Sequence, residues 1–243
     1  MSKHMQHALD LLRDRVDELG ATVQRAVAEA VSAVLDGDHA RAGRVIQGDR
    51  RIDLDEVEVE EECLKVFALH QPVGTDLRLL VGILKLNNDL ERIGDLAVNI
   101  AGNAGHVDLA GDAQVREILL QLAARSQQML QLGLESLVKQ DEQLALRVCA
   151  ADDDVDHLYS RFRSVVQETL ADEHATRDLA RIESLMRAIS VSRSLERVAD
   201  HATNIAEDVI YMVTGEIPRH GALRDLRAWK ESREGSGENQ HST

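Results

Sequence analysis

Apolar residues recur along this chain at intervals of three and four, interrupted at a few points by glycine, proline and capping residues. From Lys3 to Leu35 the positions Leu9, Leu12, Val16, Leu19, Val23, Val27, Val31 and Val34 keep that period, which predicts an amphipathic helix. Gly37 is its expected stop, and Asp38 the cap of a second helix that runs to Leu69, ahead of Pro72. Gly43 and Gly48 inside that helix either weaken it or admit a neighbouring backbone. A third helix is expected from Gly74-Thr75-Asp76, capped by Thr75 or Asp76, to between Gly102 and Gly105. After a connector at 106–111, a fourth spans Asp112 to Lys139 through Val115, Ile118, Leu122, Met129 and Leu137. Asp141 caps a fifth helix reaching Ala171; Thr176 caps a sixth over Arg177–Val213, which stops at Thr214-Gly215 with Pro218 beyond. The fold class is therefore all-α. Two tandem three-helix bundles, each up-down-up with short connections, occupy residues 1–107 and 108–218. A charged, Gly/Ser-rich tail, 219–243, follows, and its end is expected to be disordered.

Composition narrows the function classes. Aromatics are only 2% and prolines only two, which disfavours a β-sandwich or barrel and suits long helices packed through aliphatic side chains. A net charge of −15 argues against nucleic acid as the main partner and is compatible with cations or basic protein surfaces. No apolar run is long enough to span a membrane, and the first residues lack the apolar core of a signal peptide. Cys63 and Cys149 stand alone, as small residues of a reducing compartment would. A cytoplasmic location is expected.

One motif occurs twice. Leu90-Glu91-Arg92-Ile93-Gly94-Asp95 leads to Asn99, and Leu195-Glu196-Arg197-Val198-Ala199-Asp200 leads to Asn204, at a constant offset of 105 residues. Within each copy the polar residues fall at i, i+4 and i+8, one face of a helix, where two carboxylates one turn apart repel. The helix before each motif carries a further acidic pair, Asp49 with Asp53 and Asp152 with Asp156. In antiparallel helices joined by a tight turn, residues equidistant from the turn lie side by side. The midpoint of 53 and 91, and of 49 and 95, is Pro72; that of 156 and 196, and of 152 and 200, is Thr176. Asp53 should then face Glu91, Asp49 face Asp95, Asp156 face Glu196 and Asp152 face Asp200. Four carboxylates per bundle cannot all stay ionised without compensation, and a multivalent cation with oxygen ligands is the direct remedy. The neighbouring Arg92, Arg197, Arg50 and Arg51 are expected to point away from the acidic face. His201 is a candidate nitrogen ligand or a polar flank, and Asn99 and Asn204 are either ligands or helix-pairing hydrogen-bonders.

At these residues the chain resembles the PhoU family of phosphate-transport regulatory proteins. The shared features are Asp-x-x-[Ile/Val]-Asp on one helix, the Leu77-Arg78 segment, and Asn88-Asp-Leu-Glu-Arg-Ile-Gly-Asp95, all in a tandem three-helix repeat covering Leu9 to Thr214. The second copy is looser, and only Arg181-Ile182-Glu183 answers the Leu77-Arg78 pair. The resemblance implies bound divalent or trivalent metal, iron or zinc first, in one or more ions, at Asp49, Asp53, Glu91 and Asp95 and at Asp152, Asp156, Glu196 and Asp200. It also implies a homodimeric, non-enzymatic adaptor. Such a protein damps phosphate uptake by binding the ATPase subunit of the Pst transporter and holds a phosphate-response sensor histidine kinase off, touching the membrane only through these partners. The rival is a carboxylate-bridged metalloenzyme or metal-storage bundle. Such sites combine Glu with Glu-x-x-His on facing helices, and the chain offers that spacing only at Glu238–His241, in the tail.

Overall fold

The computed structural model describes residues 3–171 and 178–216. Six helices account for nearly all of them: α1 (Lys3–Asp36), α2 (His39–His70), α3 (Thr75–Ala101), α4 (Ala113–Lys139), α5 (Glu142–Ala171) and α6 (Leu179–Thr214). No strand occurs among the described residues. The helix ends follow from local chemistry. Gly37 adopts φ +64°, and Asp38 then accepts the Arg41 N–H at 2.9 Å to start α2. Asp141 repeats the device for α5, accepting the N–H groups of Gln143 and Leu144. The last turn of α6 closes on Gly215, whose N–H donates to the Tyr211 carbonyl.

Two expected caps are corrected. The cap of α3 is Gly74, which has no side chain to offer; Thr75 lies already inside the helix, and its hydroxyl receives the Arg78 guanidinium instead. Asp178 caps α6, accepting from Ala180 and Arg181; Thr176 and the tail 219–243 lie outside the described residues. Gly43 and Gly48 have open space around them, so neither admits a close neighbour.

Helices α1–α3 pack pairwise into one bundle and α4–α6 into another, and the two join through α3 against α6 and α1 against α4. The apolar stripe read from the sequence on α1, Leu9 to Val34, and the one that α3 presents, Leu79 to Ile100, merge with those of α4–α6 into one continuous core. The join is close: a side-chain carbon at Gly82 of α3 would collide with Met212 of α6. The connector between repeats is pinned to α6 by two contacts. Ser184 exchanges hydrogen bonds with the Asp108 backbone, both at 2.7 Å, and Arg181 clasps the buried Asp112 with two nitrogens. No helix among the described residues is long and apolar enough to cross a membrane.

Candidate metal-binding site

Both acidic sets assemble between the second and third helix of their repeat. In the first, Asp49 and Asp53 come from α2 and Glu91 and Asp95 from α3. What lets α2 approach is Gly94: a Cβ there would lie 3.2 Å from the Asp49 carboxylate and 3.1 Å from Ile52. The carboxylates feel one another strongly. Burial, then Asp53, Asp95 and Glu91, push Asp49 up to about 6. Burial and the charge of Asp95 raise Glu91, against the pull of Arg92. The next turn of the same interface is tied by Asn87, buried on α3, which donates to the backbone and side-chain oxygens of Glu56.

In the second repeat, Asp156 of α5 and Glu196 and Asp200 of α6 each place one ligand oxygen within 4.8 Å of the others. An ion that takes oxygens at ~2.0–2.6 Å accepts ligands up to roughly 5 Å apart across it, so this trio fits a single cation. Asp152 stands beside them, held by a 3.1 Å hydrogen bond from Thr203. Burial raises the carboxyls of Asp152, Glu196 and Asp200, and neighbouring acids raise them further; the Thr203 hydrogen bond works the other way on Asp152. Of the eight acidic residues singled out in the sequence, Asp156, Glu196 and Asp200 converge at ligand spacing with Asp152 nearby, whereas Asp49, Asp53, Glu91 and Asp95 feel one another's charge without forming such a trio among the described residues. The trio is an oxygen-only donor set, the chemistry that suits a hard cation.

One side chain departs from expectation, and the alternatives left open for His201 and Asn204 are resolved by their partners. Arg92 does not point away: its guanidinium reaches Glu91 at 3.3 Å and Asp95 at 3.4 Å, capping the first cluster from the solvent side. The i, i+3 spacing of Arg92 and Asp95 was the available signal. His201 turns its Nδ1 to Asp89 of α3, at 2.7 Å, away from the carboxylates of its own repeat. Asn204 donates to the same Asp89 oxygen at 3.3 Å, so it pairs helices across the repeats, whereas Asn99 is exposed and contributes its backbone carbonyl to Asn103. Asp89 is the residue that sequence reasoning missed. It is buried to 7% exposure, and its signal was a break in the repeat, since the equivalent position is Ser194. His201 lies close enough to both Glu91 of α3 and Asp200 of α6 to oppose, in small part, the rise that burial gives their carboxyls. Of the two cysteines, Cys63 is fully buried, its thiol pushed up to about 12 by burial, and Cys149 is half-buried.

Comparison with known proteins finds the same organisation. A family model described as PhoU domain matches residues 16–104 and again residues 119–209. The phosphate-specific transport system accessory protein PhoU homolog of Pseudomonas aeruginosa is 35% identical over 241 residues, covering 97% of this chain and 96% of that protein. The corresponding homolog of Deinococcus radiodurans is 39% identical over 209 residues, covering 84% and 93%. The crystal structure of PhoU from Pseudomonas aeruginosa superposes with a TM-score of 0.77 at 35% identity, over 87% of this chain and 99% of that one.

Proposed function

The chain belongs to the PhoU family, and on that premise we propose that it is a metal-binding adaptor that restrains phosphate uptake and phosphate-starvation signalling. The observation that carries the reading is the converging trio Asp156, Glu196 and Asp200, whose acidic positions recur in sequence at one offset, inside a chain that matches the family twice. Its relatives are accessory proteins of the phosphate-specific transport system, and the partners that fit are the ATPase subunit of the Pst transporter and a phosphate-response sensor histidine kinase. Asp156, Glu196 and Asp200, with Asp152 alongside, would hold one ion. Asp49, Asp53, Glu91 and Asp95 would hold another once Arg92 swings outward. Bound metal supplies the positive charge that lets each pair of helices stay together without protonating its carboxylates. An all-carboxylate donor set, with His201 committed to Asp89, suits iron or a hard divalent ion better than zinc. The protein acts in the cytoplasm as a homodimer, by contact and without catalysis.

The test is crosslinked co-purification from cells of the source organism grown in high phosphate. Recovery of the Pst ATPase subunit or a phosphate-response kinase supports the adaptor. Recovery of neither, together with bound metal that changes oxidation state with oxygen, would move the assignment to a metalloenzyme.

A further inference from the structure

Among the described residues α2 packs only against α1 and α3. Its core side is set by Val45, Ile52, Val59 and Cys63, all buried. Ile46, Leu54, Val57 and Leu64 fall on the opposite side, within an arc of roughly 80° at 100° per residue. These four are between 45% and 55% exposed, a single apolar stripe facing away from the bundle. The duplicated helix lacks it. Aligning Asp53 with Asp156 puts His157, Ser160 and Gln167 of α5 in the places of Leu54, Val57 and Leu64. The stripe is therefore a property of α2 and not of the repeat, and an exposed apolar line of this kind marks a surface that another surface covers.

The charges within the stripe point to the occupant. Arg50 and Glu61 lie in the same arc, both exposed, and neither makes an ion pair among the described residues. Their neighbours Arg51, Glu58 and Lys65 are taken, by Asp55, Arg15 and Glu62. Two copies of α2 laid antiparallel about the point midway between Asp55 and Glu56 meet in a self-complementary register. Leu54 comes opposite Val57 and Arg50 opposite Glu61, with Ile46 beside Leu64. Gly43, which has open space around it in the single chain, comes opposite Ala68. By two-fold symmetry each contact occurs twice. A parallel pair would set Arg50 against Arg50 and Glu61 against Glu61, and like charges repel it. The antiparallel register carries one like-charge approach, Asp53 near Glu60 on the flank toward α3. Both are exposed, so salt screens it.

We infer that the α2 stripe is covered by the same stripe of a second copy, packed antiparallel, with Arg50 of each copy on Glu61 of the other. The inference rests on the homodimer of the proposed function and assigns its interface. It needs no metal at either acidic cluster.

Sedimentation velocity over a range of protein concentrations reads the assembly. Wild type is expected to form a concentration-dependent dimer. R50E and E61R should each weaken it by roughly tenfold or more, because each sets like charges together at both symmetric contacts. An equimolar mixture of the two variants should dimerise again, since every such contact in the mixed pair joins opposite charges. Within one chain Arg50 and Glu61 stand three turns apart, roughly 16 Å along α2, so recovery on mixing reports a contact between chains. Thermal melts of both variants should match wild type, which separates lost pairing from lost fold. A dimer that both variants leave unchanged, or a mixture no tighter than either variant alone, would overturn the α2 interface and leave the homodimer standing. A wild type that stays monomeric at every concentration would overturn both.

Discussion

Replacing Asp49 by Asn tests whether the first acidic cluster strains the metal-free fold. The carboxyl sits against Gly94 with three acidic neighbours, and its pKa rises from the ordinary 3.8 to about 6. A group raised on folding binds its proton more tightly in the native state. Its contribution to stability is therefore full below the unfolded value and is lost as pH rises through about 6. At full strength that displacement corresponds to about 3 kcal/mol above the upper value. Asp49 is only partly buried, so water and salt screen much of it, and about 1 kcal/mol is the working figure. Asparagine keeps the shape and removes the charge. In chelator, Asp49→Asn should therefore melt higher than wild type at pH 7–8, by roughly 2–4 °C for a chain of this size, and the two curves should converge near pH 4. With saturating manganese the order should reverse, because wild type gains the binding energy of a complete ligand set. Thermal melts across pH, with and without metal, read all three results. A variant that melts no higher than wild type at pH 7–8 in chelator would refute the claim that the cluster is under electrostatic strain.

Elemental analysis should show that the Glu91→Ala, Asp95→Ala double variant loses about half the metal retained by wild type; a wild type that holds none, even after metal addition, would sink the site assignment. Thr203→Val removes the hydrogen bond that favours the charged form of Asp152, so the Asp152 carboxyl should titrate still higher by NMR, at a stability cost of ~1 kcal/mol. Gly94→Val forces branched carbons against Ile52 and Asp49, already 3.1 Å and 3.2 Å from a single Cβ; it should cost about 1–3 kcal/mol by urea denaturation and return the Asp49 pKa toward its ordinary value. Gly48→Ala meets open space in mid-helix and should stabilise by roughly 0.5–1 kcal/mol in the same assay.

What the sequence determined by itself is local or repeated. Helix limits were legible to within a residue or two because Gly37, Asp38, Asp141 and Gly215 act on the backbone of their own turn. The meeting of acidic positions from α5 and α6 was legible too, since a tight turn between antiparallel helices fixes the register, and Asp156, Glu196 and Asp200 fall within reach of one ion. Arg92 stayed hidden because a long, flexible side chain chooses its partner after the backbone is set, and here two carboxylates outweighed its outward direction. The pairings of Asp89, His201 and Lys85 were beyond reach for a different reason. Their partners lie more than a hundred residues away on the other repeat, and only the antiparallel packing of α3 on α6, permitted by Gly82 against Met212, brings those charges together. Chain chemistry set each bundle and its acidic face, and the contact between bundles decided which buried charges found partners.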